Sequence, residues 1–586
     1  MRFKPITILL ALAGLMSFLH AEEVKPLDMP PVILSQAVDI LDTTNHGLGP
    51  EGMSKELLRK RVQMAYDAGI RKLYFRATGG VVYYPGSKIR RFYNGIRPSG
   101  GEGGLHTLHS YDVLAEYLKV CHEMGMQLYY WEPVFDTCGG YHWPLGTAWA
   151  EKYGEWPFRD TSIPDEQHWE HRLARRPPQE LARPIRKIVL KISTAPKLTS
   201  EQVQIYTGMH NHDFEPYEKP YTLSIIPAPA GERSYKSLMV FDDLEITNPC
   251  VKFVSKVFDQ PVGIWPDGVG NITAEYDNGE VVDLFTVGEI LLFGDLDPCL
   301  VRNGLGGFSH NWGTRQWGGP ISFIVRFGDY TRYAIGVPEY AFKGNRDRLK
   351  ALVTELYTLY PAIDGIAFSI RTHTLPAGGN AQQVGSKLIY GFSEPVVREF
   401  IKRYGVNPRE EPFDENAYQK LHGEYFTQML AEVAPVVHEH GGKLECMAPI
   451  PCADKIAHGS MYPWWTYANI DNFFDIRTWA QRGLVDNVIM IGANHRLTDW
   501  SDKWHQSVED FARHLEGTKT RLSLHVLAGR DDPKFIRALM PQVLREEKLS
   551  EIEIYEEWEM AQWNLYPGYV EGVKESGRKI VDKFDE

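Results

Sequence analysis

The sequence predicts an α/β protein, a (β/α)8 TIM barrel interrupted between its third and fourth strands by a β-rich, sandwich-like insert. Two observations carry this. Segments rich in β-branched and aromatic residues alternate with segments of helical apolar spacing through residues 22–182 and again through 301–586, the pattern of repeated βα units around a parallel sheet. Between them, residues 183–300 change to short alternating runs separated by turn residues, which reads as a separate module of antiparallel strands.

The chain opens with Arg2 and Lys4 ahead of an apolar run from Ile6 to Leu19 that closes on the small residue Ala21. That is the pattern of a secretory signal peptide over residues 1–21, with cleavage before Glu22 and export to a periplasm or to the medium. The run falls short of the roughly 20 apolar residues that a bilayer crossing needs, and no later stretch approaches that length, so no membrane partner is expected.

Eight strand segments follow, at residues 32–38, 72–77, 127–133, 365–371, 443–448, 487–492, 521–528 and 551–557. Helices fit between them. The one at 54–68 begins on a Ser cap and stops at Gly69, and the one at 112–124 stops the same way at Gly125. Helical spacing at 346–359, 394–404, 418–439 and 508–515 repeats the scheme. Within 183–300 the alternating runs 187–192, 221–226, 251–257 and 281–287 are punctuated by Pro227 and Pro229, by Asp267-Gly268 and by Asp277-Asn278-Gly279.

Composition narrows the function. The formal net charge of −13 becomes about −15 once Arg2 and Lys4 leave with the leader, which disfavours nucleic acid as a partner. Aromatic residues make up 12% of the chain, enough to supply both a large core and ring faces on which a sugar can stack. The even number of cysteines in an exported chain permits disulfides. Cys446 with Cys452 would close a short loop, and Cys250 with Cys299 would staple the insert. No metal-ligand spacing, calcium loop, phosphate cradle or Ser elbow is present in the sequence, so no cofactor is expected.

Several runs carry a family resemblance. Pro338-Glu339-Tyr340-Ala341-Phe342, followed by a helix and by Tyr360-Pro361-Ala362-Ile363-Asp364-Gly365-Ile366, resembles the uncharacterised bacterial glycosyl-hydrolase-like barrels related to family ten. Leu73 to Gly80 on the second strand, Tyr129-Tyr130-Trp131-Glu132 on the third and Phe392-Ser393-Glu394-Pro395 at a helix start agree in order. So do Lys402-Arg403-Tyr404-Gly405 and Trp479 followed by Gly483-Leu484-Val485-Asp486. The resemblance implies a carbohydrate-active barrel and skips the insert. In that group acidic residues usually continue the fourth strand, whereas this chain reads Ala367-Phe368-Ser369-Ile370-Arg371-Thr372-His373, so the acid and base must come from elsewhere.

Reactive groups in such barrels gather at the C-terminal ends of the strands. Glycoside hydrolysis needs two carboxyl groups flanking the anomeric carbon, one to protonate the leaving oxygen and one to act as nucleophile or base. Glu132, Glu445 and Glu556 are the catalytic candidates, because each follows apolar or aromatic strand residues where a carboxylate is costly unless paired or functional. Alternation sets Glu556 with Ile552 and Ile554, and Glu557 with Glu553 and Tyr555, which favours Glu556. Arg76, Trp131, Asp136, Arg371, His373, His495, Arg496, His525 and Glu557 are the substrate-binding candidates. The excess of Arg and His among them suggests a sulfated or otherwise acidic glycan, since guanidinium groups bind such anions bidentately.

The leading expectation is a secreted glycoside hydrolase acting on a polysaccharide or oligosaccharide. A glycan-binding barrel without catalysis and a polysaccharide lyase using His or Tyr as base are the alternatives.

Overall fold

The computed structural model describes residues 28–40, 43, 48, 52–76, 81–82, 84–89, 91–92, 102–135, 171–173, 175, 180–192, 194–210, 213–232, 234–255, 272–286, 322–326, 333–370, 390–449, 473–491, 502–527, 533–562 and 564–584. All eight barrel strands fall within them. In chain order they are Ile33–Asp39, Lys72–Arg76, Gln127–Pro133, Gly365–Ser369, Lys443–Pro449, Asn487–Ile491, Arg521–Leu527 and Glu551–Tyr555, and they close into one barrel in that order. Every neighbouring pair is parallel.

The helices begin and end where local chemistry dictates. Lys55–Asp67 starts at Ser54, whose side chain accepts from the Leu57 N–H, and Val113–Glu123 starts at Asp112, which accepts from Ala115 N–H. Gly125 (φ 71°) and Gly441 (φ 75°) stop two helices in the left-handed region, where a side chain would be strained. Leu58, Val62, Val113, Leu114, Leu349, Val353, Val433 and Val437 bury the inner helix faces against the outer faces of the strands.

The lower rim shows a fourfold regularity. The carbonyls of Leu34, Leu128, Leu444 and Leu522, on the odd strands, accept from the N–H groups of Arg71, Asp364, Asp486 and Ser550 just before the even strands. The carbonyls of those four residues in turn accept from Gln127, Lys443, Arg521 and Ile33 at the start of the next odd strand. In two of the four units the side chains repeat as well. Asp364 Oδ2 accepts from Leu128 N–H (2.7 Å) and meets His122 Nε2 (2.9 Å), while Asp486 Oδ2 accepts from Leu444 N–H (2.9 Å) and meets His438 Nε2 (2.9 Å). The sequence carries the same repeat, His-Glu at 122–123 and 438–439 followed by Leu six residues after each His.

The insert is a sandwich of two antiparallel five-stranded sheets. The first runs Thr222–Pro227, Ser237–Asp242, Ile185–Ile192, Ile272–Tyr276, Val281–Asp283. The second runs Phe285–Thr286, Ser322–Arg326, Cys250–Ser255, Val203–His210, Asp213–Pro216. Ile188, Leu190 and Phe241 from one sheet share a core with Ile205, Val251 and Phe253 from the other, and the Phe241 and Phe253 rings lie 4.3 Å apart. The second sheet takes its strand Ser322–Arg326 from beyond residue 300, so the module extends further along the chain than alternation alone suggested. Separately, Tyr333–Pro338 pairs antiparallel with His171–Leu173.

Cys446 corrects a sequence expectation. It is a free thiol, buried on the strand face that also carries Phe368, and burial pushes its pKa up, so it is not joined to Cys452, which lies outside the described residues. Cys299 also lies outside them, as does the leader at 1–21. Among the described residues no helix is long and apolar enough to cross a membrane.

Candidate functional site

Parallel register decides which residues share a face, because partners across a parallel ladder point the same way. Lys72, Tyr74 and Arg76 of the second strand align with Ser35, Ala37 and Asp39 of the first, and Tyr74 and Arg76 with Tyr129 and Trp131 of the third. Side-chain contacts across the barrel identify this face as the bore. It divides into two layers.

The lower layer is ionic. Lys72 Nζ lies 2.6 Å from Glu445 and 3.0 Å from Glu551, and Arg521 lies 3.2 Å from Glu445 and 3.9 Å from Glu551. The Tyr74 hydroxyl is 2.6 Å from each carboxylate and its single proton serves one of them at a time. Lys72 also sits over the Tyr129 ring at 4.0 Å. Burial alone would push the Glu551 carboxyl up, but Lys72 and Arg521 outweigh it and hold the group below its ordinary value. Burial, then the two carboxylates, push the Tyr74 hydroxyl well up.

The upper layer mixes ion pairs with rings. Arg76 pairs with Asp39 at 3.1 Å and donates to the Tyr555 hydroxyl. Trp131 packs edge-on against Tyr74, His525 and Tyr555, with centroids 5.7, 6.0 and 6.2 Å away. His525 Nδ1 bonds Glu553, and its ring lies 5.3 Å from that of Tyr555. The eighth strand ends at Tyr555, and Glu556 follows through a cis peptide. The Glu556 carbonyl accepts from Met560 N–H and so starts the helix Glu557–Gln562.

The sequence candidates separate on these layers. Glu445 is the third residue of a seven-residue strand and lies in the lower layer, held by Lys72, Tyr74 and Arg521, rather than at the strand's C-terminal end. Glu557 turns away from the bore onto the first helix. There Arg61 Nη1 reaches both its oxygens (2.8 and 3.0 Å) and Thr43 donates to it at 3.0 Å. Arg76, Trp131 and His525 meet in the upper layer. Glu132 aligns with Phe368, so alternation puts it on the strand face of Tyr130 while Trp131 faces the bore. Asp136, Arg371, His373, His495 and Arg496 lie outside the described residues.

Asp39, Glu553 and Tyr555 belong to the upper layer and escaped the sequence reading. The first strand extends one residue further than its apolar content suggests, which brings in Asp39. On the eighth strand the polar set Glu551, Glu553 and Tyr555 lines the bore while Ile552 and Ile554 pack outward, the reverse of an apolar interior. Glu553 directly opposite His525 in register is the signal that would have found the pair.

No family model matches the sequence, and no curated protein matches it. Among solved structures, the catalytic domain of β-amylase from Paenibacillus polymyxa aligns over 94% of this chain and 95% of its own at 8% identity and a TM-score of 0.37. The PgaB (BpsB) glycoside hydrolase domain from Bordetella bronchiseptica aligns over 92% and 98% at 10% identity and 0.39. Pyruvate kinase from Cryptosporidium parvum aligns over 94% and 70% at 8% and 0.31. At such low identity and TM-scores these likenesses say nothing of function, which has to be argued from the chain's own residues.

Proposed function

We propose that the protein is a glycoside hydrolase of polysaccharide or oligosaccharide substrates, with Glu556 and Glu132 as its two carboxyl groups. One observation carries the reading. Trp131 of the third strand and Tyr555 at the end of the eighth pack ring against ring inside the bore, and Glu132 and Glu556 are the next residues along the chain from each. Two acidic residues therefore stand at the C-terminal ends of the third and eighth strands, the height where barrel enzymes gather their reactive groups, with Glu132 starting from the strand face that alternation turns away from the bore. The rings beneath them are the apolar floor on which a sugar face would rest, and Arg76 with Asp39 adds hydrogen-bonding groups for hydroxyls.

In this reading one carboxyl protonates the glycosidic oxygen and the other attacks the anomeric carbon or activates water. An acidic or sulfated glycan is the proposed substrate class. Because Arg76 is already neutralised by Asp39, that preference depends on Arg371, His373, His495 and Arg496. Secretion is proposed from the leader pattern alone.

A lyase is the second reading, favoured by His525 and Tyr555 meeting in one layer, which offers a base for a uronate whose cation would again have to come from Arg371 or Arg496. Purified protein is incubated with xylan, agarose, carrageenan and alginate. Reducing ends without ultraviolet absorbance are expected, and Glu132→Gln and Glu556→Gln should each abolish them while the fold persists. Unsaturated, ultraviolet-absorbing products would establish the lyase, retention of a glycan without shortening would establish a binding barrel, and two fully active Gln variants would overturn the carboxyl assignment.

A further inference from the structure

We propose that Glu339, His422 and Arg172 form a positioning cluster that sets the course of the chain directly after Glu132. The inference rests on the reading of Glu132 as a reacting carboxyl. None of the three side chains is more than 2% exposed. Glu339 Oε1 lies 3.3 Å from His422 Nδ1, and Oε2 lies 3.9 Å from Arg172 Nε. Burial pushes the Glu339 carboxyl up, and His422 and Arg172 together outweigh it, so the group is held below its ordinary value. A buried charged cluster of this kind adds little net stability compared with apolar packing, which directs attention to what it orients.

Its neighbours meet the segment that leaves the third strand. Tyr340, the residue after Glu339, donates its hydroxyl to the Val134 carbonyl at 2.6 Å, two residues beyond Glu132. The Arg172 guanidinium lies 5.5 Å from the Phe135 ring, and Tyr340 packs edge-on against the same ring at 5.7 Å. The peptide that carries Glu339 and Tyr340 is itself pinned, because Asn345 donates to the Glu339 carbonyl (2.9 Å) and Arg346 to the Tyr340 carbonyl (2.7 Å).

His422 is held from behind by Gly391. That glycine has φ 101°, and a Cβ there would come within 2.7 Å of His422 Nε2, so the close approach requires a residue without a side chain. The Gly391 carbonyl accepts from Tyr418 on the helix that carries His422. On its other side the segment is tied to the fourth strand, where Val134 N–H donates to Ser369 (3.0 Å). The cluster touches neither Glu132 nor the bore through any of these contacts. Its effect on chemistry runs through the backbone of Val134 and the ring of Phe135.

Tyr340→Phe removes one hydroxyl and keeps the ring packing, and Glu339→Gln removes the charge at nearly constant volume. Each is compared with wild type and Glu132→Gln, by kinetics on whichever of xylan, agarose, carrageenan or alginate is cleaved and by crystal structures. Both variants should lower kcat about tenfold or more with KM within about twofold, because small misplacements of a reacting group are costly. Both should also shift the limb of the pH–rate profile that Glu132→Gln removes, and displace the Glu132 carboxylate. If Glu339→Gln does not fold, Tyr340→Phe decides alone. Wild-type kcat, KM and pH profile in a folded Tyr340→Phe, alongside an inactive Glu132→Gln, would overturn the positioning role and leave the functional reading standing. If Glu132→Gln is fully active, or none of the four polysaccharides is cleaved, the functional reading falls instead. The crystal structures then decide the cluster's role, an unmoved Glu132 carboxylate refuting it.

Discussion

The lower and upper layers of the bore are built from the same kinds of residue and do different work. Below, two cations and two carboxylates balance one another around Tyr74, with Lys72 and both carboxylates enclosed and Arg521 half-buried, and every charge has an opposite charge within 4 Å. Above, the ion pairs are separated by Trp131 and Tyr555, and the strands run on into the residues proposed to do chemistry. Glu445 and Glu556 are both buried acids, one inside a barrel strand and the other directly after one. Height along the strand distinguishes them, and burial does not. The Glu445 oxygens are already engaged by Lys72, Tyr74 and Arg521, and we propose that its contribution is to the fold.

The largest break in this comparison should come from Lys72→Met. It strands two buried carboxylates, and losing one partner of a buried ion cluster costs about 3–5 kcal/mol. Urea denaturation near neutral pH should show that loss. Glu445→Gln should cost less, about 1–3 kcal/mol, since Tyr74 and Lys72 keep the Glu551 carboxylate as a partner and the amide still offers an oxygen.

Acid sharpens the contrast further. Glu551 and Glu339 both have folded-state pKa values below the ordinary 4.5, so their stabilisation is complete above 4.5 and is lost as pH falls through their lower folded values. The urea midpoint should fall with acidification below pH 4.5, and more shallowly in a Glu551→Gln, Glu339→Gln variant. The smallest effect belongs to the lower rim. The hydrogen bond to Asp364 raises the His122 pKa above 6.5, so its contribution is complete below 6.5 and fades as pH rises through the raised value. His122→Gln should remove that slight slope, which solvent screening keeps small.

Much of the barrel was legible because βα alternation is a strong signal. All eight strands lie where the β-branched and aromatic segments are, and Ser54, Gly69 and Gly125 mark helix ends as their chemistry requires. The face of each strand was harder. A barrel strand is buried on both sides, so apolar content does not say which side is the bore. Here the outward side is the more apolar one, as Ile552 and Ile554 show against Glu551, Glu553 and Tyr555. Glu445 was placed at a strand end although its position third from the strand's start was already visible. The insert's strand Ser322–Arg326 was missed because its partner, Cys250–Ser255, is far away in sequence, and long-range pairing leaves no local trace.

The most direct test sets Glu445→Gln beside Glu556→Gln, each measured for reducing-end release from the panel of xylan, agarose, carrageenan and alginate and for urea stability. The expected result is crossed, with Glu556→Gln inactive at wild-type stability and Glu445→Gln destabilised but active per folded molecule. An active Glu556→Gln together with a stable, inactive Glu445→Gln would contradict the assignment of chemistry to the upper layer and of structure to the lower.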